Sequence, residues 1–328
     1  MPGMIDVAIN LLDPMYQGVY NGKHAHPPDL SSILSRARAS HVVAQLITGG
    51  SLSESRAALE LAAQHDDLYA TVGVHPTRAG EFKEHAQGKQ GLVRELEEVL
   101  EKGEGKVRAI GECGLDYDRL HFAPSALQRS AFSLQLTLQS KYPLPLFLHS
   151  RAAHADFVEV LRPHLETLQQ AGSPLAAPSE GREEGRGARW GVVHSFTGTM
   201  VEAKELLDMG LYIGVNGCSL KTQENLDVVA AIPLERLLIE TDAPWCEPRP
   251  SHTSASILAA YKAAHPHSPF FPAQVKKEKW SAERAVKGRH EPAALGQIAV
   301  VVAHLKSVPV EEVARRTTEN AKWLFGLI

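Results

Sequence analysis

The sequence predicts an α/β fold of the (β/α)8, or TIM-barrel, type, and three observations predict it. Short apolar runs and helix-patterned stretches alternate eight times along 328 residues. Each run is apolar without strict alternation, the pattern of parallel strands covered on both faces. The turn after the first run, Asn10-Leu11-Leu12-Asp13, lacks the glycine-rich phosphate loop that an open doubly wound sheet usually carries there.

The eight runs are 5–9 (IDVAI), 42–47 (VVAQLI), 68–74 (LYATVGV), 107–110 (VRAI), 144–148 (LPLFL), 190–193 (WGVV), 211–215 (LYIGV) and 237–239 (LLI). Each is short and bounded by Gly, Pro or polar residues. Amphipathic helical stretches such as 52–64 and 92–102 lie between them, and strand–helix repetition of this kind builds a parallel sheet. Two segments break the rhythm. Residues 169–189 (QQAGSPLAAPSEGREEGRGAR) read as a flexible surface insertion before the sixth strand. Residues 244–290 read as a long loop excursion after the eighth strand, with six Lys or Arg between Lys276 and Arg289. The tail returns to helix over 292–305 and 310–324. No second apolar core is visible, so residues 1–328 are read as one barrel domain.

Composition excludes several classes. Hydrophobic residues make up 44% and charged residues 22%, which is globular composition. No apolar run reaches the roughly 18 residues of a membrane span. The N-terminal stretch MPGMIDVAINLLDPMY has no basic region followed by a long apolar one, so the expectation is a protein that is not secreted and is placed in cytoplasm, nucleus or both. Three cysteines (Cys113, Cys218, Cys246) without a CxxC pair build no disulfide framework. A net charge of −4 confines any nucleic-acid contact to a local patch. A monomer is the default expectation.

In a (β/α)8 barrel the reactive residues stand at the C-terminal ends of the strands. Here those ends carry Asn10 after strand one, His75 after strand three, Glu112 after strand four, His149 after strand five, His194 after strand six and Glu240-Thr241-Asp242 after strand eight. Imidazoles and carboxylates converging on one mouth are the ligand set of Zn²⁺, Mn²⁺ or Mg²⁺ hydrolase centres. One such histidine ordinarily just closes a loop; three at equivalent strand ends, with acids beside them, point to a metal. His121, His154 and His164 fall in helical or loop stretches and read as surface residues.

A series of motifs then stands out in order: GVHPT at 73–77, GECGLDYDR at 111–119, FLHSR at 147–151, VVHSFTGT at 192–199, LYIGVNGCSLKT at 211–222 and ETDAPW at 240–245. From residue 5 to the closing helices the chain resembles the TatD family of metal-dependent nucleases, and within it the eukaryotic branch. The resemblance implies a TIM-barrel metallohydrolase with deoxyribonuclease activity. It places metal ligands on Glu112, His149, His194 and Asp242. Many relatives open with an H-x-H pair at the end of strand one, whereas here those positions are Ala8 and Asn10. Two missing imidazoles favour hard ions, which accept oxygen and water, so Mg²⁺ or Mn²⁺ is expected in preference to Zn²⁺, with two ions in the site.

The expected mechanism follows from these roles. Asp242 serves as ligand and general base. Glu112 bridges or holds the ions, and His149 and His194 fix one of them. His75 binds the scissile phosphate or protonates the leaving oxygen. Glu240 and Asn10 support the ligands from behind. Arg151 anchors a phosphate from the rim, and Trp280, amid the cations of 276–292 (KKEKWSAERAVKGRHEP), offers a stacking surface for single-stranded DNA. The expected activity is 3′-5′ exonuclease cleavage of single-stranded or frayed DNA. The same ligands also suit a metal-dependent amidohydrolase or a D-aminoacyl-tRNA deacylase. A nucleic-acid-binding protein with weak catalysis is the alternative of another class.

Overall fold

The computed structural model of the chain describes residues 1–176 and 187–327. Eight parallel strands form one sheet in chain order. They are β1 (Met4–Ile9), β2 (Val42–Ile47), β3 (Leu68–Val72), β4 (Val107–Asp116), β5 (Leu146–Arg151), β6 (Gly191–Val193), β7 (Tyr212–Val215) and β8 (Leu237–Ile239). The sheet closes on itself. Ile9 bridges to Ala243, the Asn10 N–H donates to the Ala243 carbonyl at 2.8 Å, and the Asp242 N–H donates to that of Ala8 at 2.9 Å. The expected barrel is therefore present, with each expected apolar run supplying one strand.

Helices α1 (Leu30–Ala39), α2 (Leu52–Ala62), α3 (Gly88–Lys102), α4 (Ser125–Lys141), α5 (His154–Gln170), α6 (Met200–Asp208), α7 (Gln223–Ala231), α8 (Ala255–Ala264), α9 (Leu295–Lys306) and α10 (Val310–Phe325) accompany the strands. Their starts are set by local chemistry. Ser51 caps α2 by accepting from the Glu54 N–H, and Thr199 and Glu202 cap each other's backbone at the head of α6. None of the described helices is, alone, long and apolar enough to cross a membrane.

The barrel interior follows the two-residue period of a strand. Ile5, Val7, Ala44, Leu46, Ala109, Phe147, Val192, Tyr212 and Leu238 form one buried cluster, joined by Ala321, Leu324 and Phe325 of α10. Arg189, just ahead of β6, donates to the Leu324 carbonyl at 3.0 Å, which places α10 at the N-terminal end of the barrel. The interior below the mouth is thus filled by apolar side chains, and burying one such as Phe147 contributes about 1.5–3 kcal/mol. Continuing the inward phase brings Phe147 to His149 and Val192 to His194, so both imidazoles enter the opposite, open mouth.

Three sequence expectations are corrected or bounded here. Strand β4 runs six residues beyond the expected Ile110, to Asp116, with a register irregularity against β5 between Ile110 and Cys113. The excursion at 244–290 is not loop throughout. It holds α8 and a paired Gln274–Val275 and Ala285–Val286, and it folds back over the segment between β1 and α1. There the buried Arg289 guanidinium meets Asp29 at 2.7 and 2.8 Å and Glu291 at 2.8 Å, while Arg36 grips the other side of Glu291 at 2.8 Å. Of the expected insertion at 169–189, α5 takes residues through Gln170 and the chain is anchored by Arg189 N–H to the Leu175 carbonyl at 2.8 Å; residues 177–186 lie outside the described residues.

Candidate metal centre

The open mouth is a cavity of about 640 Å³ lined by Asn10, His75, Glu112, His149, His194 and Asp242, with Asp116, Cys218, Trp245 and three arginines, Arg78, Arg119 and Arg151, around them. Glu112 is its centre. One oxygen, Oε1, lies 2.7 Å from His194 Nε2, 2.9 Å from His149 Nδ1 and 3.4 Å from His75 Nε2. The backbone around it is specialised. Gly111 has φ +134°, and a Cβ there would sit 2.0 Å from the Phe147 carbonyl oxygen, so only glycine lets β4 press against β5 at this point.

The partners behind Glu112 fix the rings. His149 Nε2 faces Asp116 Oδ2 at 3.3 Å. His194 Nδ1 faces Glu240 Oε1 at 3.4 Å, and that oxygen also accepts from the Ser195 N–H at 2.7 Å and the Asn216 amide at 3.0 Å. Asp242 enters from β8 with φ +51°. Its Oδ1 accepts from the Asn10 amide at 2.9 Å, and its Oδ2 accepts from the Cys246 thiol at 3.2 Å. Asn10 and Glu240 thus stand against Asp242 and His194.

Helix α4 holds the strand ends with buried glutamines. Gln135 accepts from the Val74 N–H at 2.7 Å and donates to its carbonyl at 3.0 Å. Gln128 does the same for Asp116 at 2.8 and 2.9 Å. The ends of β3 and β4, which would otherwise be unpaired backbone, are thereby fixed beside the mouth.

Electrostatics follow from burial and crowding. Burial pushes the Glu112 carboxyl up, but the facing His75 and His194, the nearby His149 and the hydrogen bond with His194 outweigh it and hold it well below the usual range. Burial opposes charge on His194 and His149, yet their carboxylate partners raise both rings. Burial lowers His75 to about 4 and raises Asp242 to about 6. His75 Nδ1 accepts the Thr77 N–H at 3.1 Å, so in the neutral ring the proton sits on Nε2, facing the mouth.

The residues fit a divalent cation. Among the described residues, His75, Glu112 and His149 bring ligand atoms within 4.8 Å of one another. Both ring nitrogens of His149, His194 Nδ1, Asp116 Oδ1 and Glu240 Oε2 are buried without a hydrogen bond, which is unusual for buried polar atoms. A cation seated among these groups would satisfy them and would compete with protons for the imidazole nitrogens. His194 joins through Glu112, and Asp242 lines the same cavity. The tight trio therefore contains His75, which the sequence reading had given a phosphate or leaving-group role, and neither His194 nor Asp242 of the four expected ligands.

Two rim expectations have different outcomes. Arg151 reaches the mouth, bonded to Asp118 at 2.8 Å and to Thr197 at 2.6 Å. Trp280 does not line it. Its N–H is donated to Asp29 at 3.0 Å and its ring stacks on His26 at 5.6 Å between centroids, so the aromatic expected to be free is packed against the chain. The exposed aromatic on the rim is Trp245, 53% exposed. Asp116, Arg78 and Arg119 are further residues of the mouth that sequence reasoning missed. Asp116 and Arg119 lie inside the quoted GECGLDYDR, and Trp245 ends the quoted ETDAPW, so the signal for them was present.

Known proteins share this chain's sequence and fold. The model of the family described as TatD related DNase matches residues 5–326. A protein of Schizosaccharomyces pombe named "Deoxyribonuclease Tat-D" is 43% identical over 96% of this chain and 93% of its own length. A protein of Erwinia amylovora named "3'-5' ssDNA/RNA exonuclease TatD" is 34% identical over 99% of this chain and 100% of its own. The crystal structure of an "uncharacterized amidohydrolase" from Saccharomyces cerevisiae superposes with a TM-score of 0.87 at 36% identity, covering 99% of this chain and 100% of that one. The chain belongs to the TatD-related DNase family, hydrolases of phosphodiester bonds.

Proposed function

We propose that this chain is a divalent-metal-dependent deoxyribonuclease that trims single-stranded or frayed DNA from the 3′ end, with Mg²⁺ or Mn²⁺ held by Glu112, His149, His194 and Asp242. The observation that carries the reading is the convergence of three imidazoles on one buried Glu112 oxygen. The names of the S. pombe and E. amylovora relatives support the substrate. A bound divalent cation supplies positive charge that offsets the charge building on the phosphate and makes the attacking water more acidic. The chain supplies the rest. Asp242, raised to about 6 by burial, takes the proton of the attacking water near neutral pH. His75, neutral at that pH, donates its Nε2–H to a phosphate oxygen. Asp116 and Glu240 hold His149 and His194 in orientation. Arg78, Arg119 and Arg151 meet the backbone phosphates, and Trp245 offers a base a stacking face.

The test is cleavage of end-labelled single-stranded DNA with Mg²⁺ or Mn²⁺, with EDTA, and by Glu112→Ala. The expected result is stepwise shortening that needs the metal and falls at least about a hundredfold in the variant, the scale on which loss of preorganised charge acts. Cleavage that ignores EDTA, or a variant as fast as wild type, contradicts the reading. Hydrolysis of an aminoacyl ester with DNA untouched favours the deacylase instead.

A further inference from the structure

We propose that Cys218 and Cys246 form a paired oxidation site at the mouth, where a peroxide converts two thiols to a disulfide and thereby loosens the Asp242 side of the centre. The second half of this proposal rests on the metal reading above.

The two Sγ atoms lie 3.0 Å apart. Cys218 sits in the turn Gly217–Leu220 that follows β7, and Cys246 follows β8, its neighbour in the sheet. The two backbones nearly touch. A Cβ on Gly217 would lie 2.0 Å from the Cys246 carbonyl oxygen and 2.9 Å from Pro248 N, so glycine is what permits this approach. Both thiols are half-buried and line the cavity, within reach of a small dissolved oxidant, whereas Cys113 is fully buried. The hydrolytic mechanism makes no use of either sulfur. Cys246 nevertheless touches it, 3.2 Å from Asp242 Oδ2.

The chemistry balances. The Cys218 thiolate attacks one oxygen of hydrogen peroxide; the O–O bond breaks, hydroxide leaves with the thiol's proton as water, and a sulfenic acid forms. The Cys246 thiol attacks that sulfur; the S–S bond forms, the S–O bond breaks, and a second water leaves. Two thiols are oxidised and one peroxide is reduced to two waters. Closing the pair to the about 2.05 Å of a disulfide draws Cys246 towards Cys218 and removes the S–H that donated to Asp242. Losing an outer partner of a ligand typically weakens metal affinity by about tenfold or more.

The experiment treats the full chain with hydrogen peroxide, alkylates the remaining thiols and maps the peptides by mass spectrometry. Mn²⁺ binding is followed by electron paramagnetic resonance before oxidation, after it, and after dithiothreitol. The expected result is a Cys218–Cys246 cross-linked peptide, Mn²⁺ bound about tenfold more weakly, and recovery on reduction. Cys218→Ser binds Mn²⁺ as the untreated wild type does and does not respond to peroxide. Thiols that stay unlinked, or a linked chain with unchanged Mn²⁺ affinity, overturn the proposal. Absence of Mn²⁺ binding in the untreated chain overturns the metal reading, while the peptide map still reports on the dithiol.

Discussion

Asp6 lies on the face of β1 opposite Ile5 and Val7, fully buried, and takes the Thr241 N–H at 2.9 Å and the Thr241 hydroxyl at 2.6 Å. It ties the first strand to the last, one residue before Asp242. Burial outweighs these bonds and raises its carboxyl from 3.8 to about 8. The sign of the linkage is fixed by that direction. Between the two values the folded chain keeps a proton that the unfolded chain releases, so stability falls as pH rises through the window, by at most about 1.4 kcal/mol per pH unit from this group. Asp6→Asn keeps the shape and removes the titration. Urea midpoints at pH 5 and pH 9 are expected to show the variant gaining on wild type as pH rises; an unchanged difference contradicts the assignment.

At the scale of elements, the segment from α8 to Arg289 is a clamp over the β1–α1 connection. Arg289 is 1% exposed and balances Asp29 and Glu291, both also buried. Removing one partner from such a group leaves charge uncompensated in a poor solvent, so Arg289→Met is expected to cost about 3–5 kcal/mol in urea unfolding. Adding Asp29→Asn and Glu291→Gln to it is expected to restore part of the loss. A single variant within about 0.5 kcal/mol of wild type contradicts the clamp. Arg289, one of the cations of 276–292, pointed towards a nucleic acid in sequence because its buried acid, Asp29, lies 260 residues away. The α4 glutamines were silent for the same reason: Gln128 and Gln135 read as polar helix positions until β3 and β4 need their loose backbone groups satisfied.

At the scale of the whole molecule, the barrel was legible because strands covered on both faces must be apolar throughout, and eight of them repeated. His149 and His194 were legible because strand parity carries Phe147 and Val192 outward to the mouth. Glu112 was legible from its place after an apolar run, but the longer β4 was not: its irregular register depends on Gly111 meeting the Phe147 carbonyl, a contact between strands. That extension brings Asp116 beside His149, and it explains why Asp116 passed as part of a motif. The most direct test of the metal centre is a crystal of the chain soaked in Mn²⁺ and measured for anomalous scattering. The expected result is a peak within bonding distance of Glu112, His149, His194 and Asp242 that disappears in Glu112→Ala. No peak among these four side chains at saturating Mn²⁺, in protein that still degrades DNA, would contradict it.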